Sequence, residues 1–146
     1  MQLLVFQAAL FITLLAVASA IDIRRRIIPN SICAGIALAG LICFSPADLF
    51  GVLAALPLLT AALYKRGSIG GGDIKLTAAC GIVLGFSDGI TGLCLGLAAM
   101  LFFHAGSRIA RRLKQDGKTE KTKSLPMAPF LSIGFIAIYI LRIAGL

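Results

Sequence analysis

The sequence predicts an all-α, polytopic membrane protein: one bundle of six transmembrane helices, spanning residues 1–146 as a single domain, with both termini outside. Three observations predict it. Of the 146 residues, 59% are apolar and only 14% are charged, against roughly 25% charged in an ordinary soluble domain. The mean hydropathy of +0.99 is too high for a surface that faces water, which excludes a soluble enzyme and a disordered chain. The apolar residues gather into six runs, and nearly all the basic residues fall between them on one side.

A bilayer core about 30 Å thick asks for about 20 apolar residues per crossing, with shorter ones tolerated. Residues 3–21 form one clean run, and 31–44 a second that is short unless its polar flanks contribute. Residues 49–64 make a third, with Pro57 in its interior as an expected kink. The fourth and fifth are 74–86 and 90–103, parted by Ser87-Asp88-Gly89, and the sixth is 127–143, announced by Pro126 and Pro129.

Residues 74–106 also read as a single long crossing. That arrangement would place Asp88 deep in hydrocarbon, at a cost of at least ~2.5 kcal/mol. Charge decides the parity independently. With six crossings, loops 22–30, 65–73 and 107–125 share one side. With Lys75 just beyond, they hold Arg24, Arg25, Arg26, Lys65, Arg66, Arg108, Arg111, Arg112, Lys114, Lys118, Lys121 and Lys123, leaving only Arg142 outside the set. The positive-inside rule makes that face cytoplasmic.

Gly81 and Gly85, and Gly92 and Gly96, sit four apart and allow close helix approach. Cys33, Cys43, Cys80 and Cys94 all lie in apolar runs with no CxxC pair, which reads as buried free thiols rather than a zinc site or disulfide framework. Ala18-Ser19-Ala20 resembles a signal-peptidase site, but residues 1–10 carry no basic side chain and the apolar run is longer than such signals use.

Six acidic residues are available for chemistry. Asp116 and Glu120 belong to a polar loop, and Asp48 and Asp88 to the outward turns. Asp22 and Asp73 remain, at the cytoplasmic ends of helices 1 and 4. Two carboxylates brought together cannot both ionise cheaply, so one is held protonated. The ionised one can then take a proton from water while the other donates to a scissile carbonyl. Charge and spacing also admit plainer roles: Asp22 as a partner of the adjacent arginines, and Asp73 as the N-cap of helix 4. The lone His104, at the end of helix 5, has no partner at a useful spacing. No metal site and no cofactor are expected.

Asp73 ends the run Gly70-Gly71-Gly72-Asp73, followed by Ile74-Lys75-Leu76. Glycines there leave the backbone unshielded and free to admit another chain, for example by strand pairing with an extended substrate. Gly70, Gly71 and Gly72 are therefore candidate substrate-binding residues, and a flexible loop leading into a capped helix is the plainer reading.

At this point the chain resembles the type IV prepilin peptidases, intramembrane aspartyl proteases with a GxGD signature. Three segments carry the resemblance. They are Asp22-Ile23-Arg24-Arg25-Arg26-Ile27-Ile28-Pro29-Asn30, Gly70-Gly71-Gly72-Asp73-Ile74-Lys75-Leu76, and the proline-containing stretch Leu125-Pro126-Met127-Ala128-Pro129-Phe130-Leu131-Ser132-Ile133-Gly134. The resemblance implies catalysis by Asp22 and Asp73. Gly70, Gly72 and Lys75 match its motif positions, which makes Lys75 a further candidate substrate-binding residue, able equally to steady an ionised carboxylate or meet a lipid phosphate. The substrates it implies are prepilins and pseudopilins, whose short basic leader is cut after a glycine at the cytoplasmic face of the bacterial inner membrane. Larger members carry an amino-terminal segment with paired CxxC motifs, associated with N-methylation. This chain shows no such motif, so it resembles the peptidase-only subgroup found with tight-adherence (Flp-type) pili, without methyltransferase activity. The cluster from Arg108 to Lys123 is expected to meet anionic lipid, because a prepilin leader is itself basic. No nucleic-acid partner is expected. A small transporter or proton relay, and a non-catalytic pilus-assembly scaffold, are the rival functions. The first calls for polar residues at mid-membrane or an inverted repeat; the second needs neither aspartate.

Overall fold

The computed structural model describes residues 2–43, 45–64, 70–113 and 127–145. Among them are six α-helices: α1 (Gln2–Arg25), α2 (Asn30–Gly40), α3 (Leu56–Tyr64), α4 (Gly71–Leu84), α5 (Phe86–Leu113) and α6 (Ala128–Ala144). Two 3₁₀ segments, Leu41–Cys43 and Pro46–Ala55, join α2 to α3. No strand occurs among the described residues.

Each boundary has a local cause. The arginines Arg24 and Arg25 carry α1 past its apolar run, where positive charge suits a helix C-terminus. Arg26 then ends it in the left-handed region, with φ +54. Pro29, with no N–H to lose, precedes the first residue of α2. The kink expected at Pro57 takes another form. Ten residues of 3₁₀ helix give way to α-helix at Leu56, so that Pro57 falls in the first turn of α3, where its missing N–H costs nothing.

The turn expected at Ser87-Asp88-Gly89 lies elsewhere. Gly85, at φ +82, breaks the chain in one residue, and Ser87, Asp88 and Gly89 belong to the first turn of α5. Helix α5 also runs ten residues beyond the expected end at 103, through Ala105, Arg108, Ala110 and Arg111, which are good helix formers.

Successive segments alternate in direction, as their contacts show. Gln7 near the start of α1 donates to Ala39 O at the end of α2 (3.1 Å). Lys75 near the start of α4 reaches Asn30 at the start of α2, so α2 and α4 are parallel. Gly51 of the long 3₁₀ segment meets Gly81, and Asp48 lies beside Gly85, so that segment runs antiparallel to α4. Gly92 and Gly96 of α5 pack against Phe135 and Leu131 of α6, antiparallel again.

The core is Phe11, Leu15, Ile36, Leu76, Leu131 and Phe135, all essentially inaccessible. Phe11 and Tyr139 stack there with ring centroids 5.0 Å apart. The outside is also apolar: Phe6, Leu63, Leu101 and Phe102 are each more than 60% exposed. A water-facing surface does not carry apolar area on that scale, whereas a lipid-facing one does. Two helices are long and apolar enough to cross a bilayer alone, Gln2–Arg25 and Phe86–Ile109, with mean hydropathies of 2.3 and 1.7. Cys33 and Cys80 are buried free thiols, but Cys94 is exposed on the outward side of α5, contrary to expectation; the side chain of Cys43 lies outside the described residues.

Candidate active site

Asp22 sits in the last turn of α1 and Asp73 in the first turn of α4, at the same end of the bundle. Both are buried, at 7% and 8% exposure. They line one recess of about 380 Å³ together with Arg26, Ile27, Ile28, Asn30, Gly70, Gly71, Gly72 and Lys75.

The two carboxylates are held differently. Asp22 Oδ2 accepts a hydrogen bond from the backbone N–H of Ala128, the first residue of α6 (3.1 Å). Asp73 Oδ1 is buried and has no hydrogen-bond partner among the described residues. Asp73 stands one residue ahead of the apolar run 74–86. Its carboxyl is pushed up to about 6, first by burial and second by the negative charge of Asp22. Burial disfavours the charged form, and a like charge nearby disfavours it further. Asp73 is not the N-cap: Gly70 holds that position with extended backbone, and the Asp73 N–H donates to Gly70 O at 3.1 Å.

The glycines differ from the expected strand edge as well. Gly71 and Gly72 are already helical, so they present first-turn N–H groups without an intrahelical acceptor rather than an extended ladder. A Cβ on Gly70 would stand 3.2 Å from Asp73 Oδ2, and one on Gly72 would stand 3.1 Å from Ile28 Cβ. Gly71 faces open space. Gly70 and Gly72 thus let the carboxylate and the Ile28 wall close on each other, while Gly71 leaves the recess open.

Lys75 Nζ donates to Asn30 Oδ1 at 3.1 Å, tying the start of α2 to α4 across the recess. Arg24 and Arg25 are exposed, whereas Arg26 lines the recess, brought there by its left-handed backbone and the bond from its N–H to Asp22 O (2.8 Å). Asp48 and Asp88 lie at the opposite end. Asp48 accepts from the Ser45 N–H (3.2 Å), and Asp88 pairs with Arg142 at 3.7 Å. Half-buried His104 is away from the recess; its carbonyl accepts from the Ser107 hydroxyl (2.8 Å). Asp116, Glu120, Pro126 and the basic positions Lys65, Arg66, Lys114, Lys118, Lys121 and Lys123 lie outside the described residues.

Residue-type reasoning passed over Arg26, Ile27, Ile28, Asn30 and Ala128. Four of them were visible as the continuation of the Asp22 segment. The Ala128 donor is a main-chain group, which residue type does not mark.

The profile of the type IV leader peptidase family matches residues 9–110, a stretch that includes both carboxylates. A Bacillus subtilis (strain 168) protein named prepilin leader peptidase/N-methyltransferase is 35% identical over 145 aligned positions, covering 92% of this chain and 55% of that protein. The chain therefore spans about half the length of that relative. No solved structure matches. With more than half of its length matched by the profile, and the matched stretch holding the whole Asp22–Asp73 recess, the chain belongs to the type IV leader peptidase family.

Proposed function

We propose that the chain is an aspartic-type endopeptidase that removes the short basic leader of type IV prepilins and pseudopilins, cutting after a glycine at the cytoplasmic face of the inner membrane. The observation that carries this reading is the shared recess. Two acidic side chains remote in sequence are buried in the lining of one recess, and one of them has an oxygen with no partner among the described residues.

In the proposed reaction the pair holds one proton between its two carboxyl groups. The proton's favoured seat is Asp73, whose burial beside Asp22 disfavours its anion. Asp22 keeps an acceptor bond from Ala128 N–H, which suits an ionised carboxylate. Water between the two gives a proton to Asp22 as its oxygen bonds to the scissile carbon. Asp73 gives its proton to the carbonyl oxygen, forming a gem-diol. Asp22 then hands its proton to the leaving nitrogen, the C–N bond breaks, and a gem-diol hydroxyl returns a proton to Asp73. In this reading the first-turn N–H groups of Gly71 and Gly72 polarise the carbonyl, which their lack of an intrahelical acceptor supports. Lys75, bonded to Asn30, braces the far wall of the recess.

The test is electrophoresis of a co-expressed tight-adherence prepilin with and without its leader. Asp22→Asn and Asp73→Asn should each abolish processing, by at least ~10³-fold, while the protein still accumulates in the membrane. Asp48→Asn and Asp88→Asn should process normally. Full processing by either of the first two variants refutes the proposal. Because the described residues lining the recess offer carboxylate, amide, guanidinium and amine groups and no His or Cys, cleavage in detergent should also survive a chelator.

A further inference from the structure

Arg142 is the basic residue that falls outside the cytoplasmic set, and it is not solvated freely. Its Nη1 donates to Leu84 O at 2.8 Å and to Val83 O at 3.3 Å, the last carbonyls of α4. Its Nε lies 3.7 Å from Asp88 Oδ2 in the first turn of α5. Gly85, at φ +82, ends α4 there and leaves those carbonyls without helical partners. A guanidinium beside them satisfies the carbonyls and meets the negative end of the helix dipole.

At its other end, the same helix α6 holds Asp22 through the Ala128 N–H. From Ala128 to Arg142 along α6 is roughly 21 Å, and from Asp73 to Leu84 along α4 is roughly 16 Å, at about 1.5 Å per residue. Helix α6 is thus fastened to the Asp22 carboxylate at one end and to the tail of the Asp73 helix at the other. Helix α4 otherwise packs chiefly on α2 and the long 3₁₀ segment, and its crossing with the latter is a glycine-on-glycine contact between Gly51 and Gly81. Smooth contacts of that sort resist sliding weakly, because no side chain is keyed into a hole.

We infer that Arg142 is a positioning residue for the Asp22–Asp73 pair: by gripping the C-terminal carbonyls of α4 it sets the axial register of that helix against α6, and so the approach of Asp73 to Asp22. This inference rests on the proposed dyad for its catalytic consequence, but not for its geometry. Asp88 is peripheral to it, since a half-exposed pair at 3.7 Å contributes little. At the other end, Asp22, Arg26, Asn30 and Lys75 share the recess with Asp73, and the Lys75–Asn30 bond is the second hold on α4 there.

The position of α4 against the Asp22 end of the bundle, which follows from that register, is read by a disulfide to the α1–α2 connection. A Cβ at position 72 stands 3.1 Å from Ile28 Cβ, so a slight separation of the two backbones brings the pair into the roughly 3.5–4.5 Å that a disulfide uses. The full chain, with Cys33, Cys43, Cys80 and Cys94 replaced by Ala, carries Ile28→Cys and Gly72→Cys. It is oxidised with copper phenanthroline, and the remaining thiols are counted with a maleimide-polyethylene glycol gel shift. Cross-linking should be fast with Arg142, several-fold slower with Arg142→Ala, restored by Arg142→Lys, and unchanged by Asp88→Asn. If Arg142→Ala does not accumulate, Arg142→Gln carries the same comparison. Equal rates for Arg142 and its neutral replacements overturn the inference, whatever the enzyme cleaves.

Cleavage of a prepilin by the cysteine-intact variants supplies the second readout. Arg142→Ala should lower kcat on the order of tenfold, the scale expected for a sub-ångström to 1 Å misplacement, with KM little changed and Arg142→Lys restoring the rate. A loss confined to KM, or one that Lys does not restore, also overturns it. Should Asp22→Asn prove active, the proposed function falls, while the cross-linking comparison still decides the register.

Discussion

Asp73 carries an acidic group into the fold without giving it a full set of partners, and this has a measurable consequence. Its folded value of about 6 lies above the ordinary carboxylate value of 3.8, so between those two pH values the folded protein holds more protons than the unfolded chain. Stability from this group is therefore present at low pH and lost as pH rises through about 6. Asp73→Asn, which cannot ionise, should be more thermostable in detergent than the parent at about pH 7.5, by at most ~3 kcal/mol, with the advantage falling to ~1 kcal/mol near pH 4.5 and vanishing near pH 3. A thermal-shift series across that range checks it; a parent more stable at the higher pH would contradict it. If the protonated carboxyl is the acid, kcat/KM should also decline above pH ~6, because that ratio reports the free enzyme. The two aspartates were legible in the sequence because elimination left few acidic residues on the basic side. The Ala128 donor was not, because a main-chain N–H has no residue signature and its placement depends on where α6 lands.

The long 3₁₀ segment and α4 cross where neither has a side chain. A Cβ on Gly51 would overlap the Gly81 carbonyl oxygen, and one on Gly81 would overlap that of Gly51. Backbone there cannot retreat without moving a whole element, so Gly51→Ala or Gly81→Ala should each destabilise by ~1–3 kcal/mol, as overpacking does, and displace α4. Thermal unfolding of the purified variants checks this, and Gly106→Ala, with nothing within 4 Å, is the matched control. A parent-like unfolding temperature for both crossing variants would rule the contact out as structural. Gly81 and Gly85 were visible through their four-residue spacing, and both meet Gly51, where an added Cβ would stand 3.0 Å from the Gly85 carbonyl carbon; Gly85 is also the helix breaker. Gly92 and Gly96 do meet a partner glycine, Gly134. Gly51 was hidden because its partner lies on another element, and no local spacing encodes a crossing. Pro57 announced a discontinuity correctly in place, but proline restricts only its own turn and cannot specify that ten preceding residues wind as 3₁₀.

Across the whole molecule, the direction of each helix can be argued from contacts alone, and it agrees with the charge pattern. The recess end holds Asp22, Arg26, Lys75, Asp73 and Asn30; the other end holds Ser45, Asp48, Asp88 and Arg142. Arg142 is tolerated against the general bias because it is bonded to carbonyls and a carboxylate, so it is neither a free charge nor a topological signal. Six crossings follow if both ends are wet. On that reading single cysteines placed at Asn30 and Gly71 should react with a membrane-impermeant maleimide only in inverted vesicles, and cysteines at Ser45 and Ser87 only in intact spheroplasts. All four positions are exposed, so a missing signal cannot be blamed on packing. The background again lacks Cys33, Cys43, Cys80 and Cys94. Opposite labelling of the two groups would also put the carboxylate recess on the side where a basic leader emerges. Labelling of Gly71→Cys and Ser45→Cys from one and the same side would mean that the bundle lies in the membrane differently, and with it the cytoplasmic assignment of the recess would go.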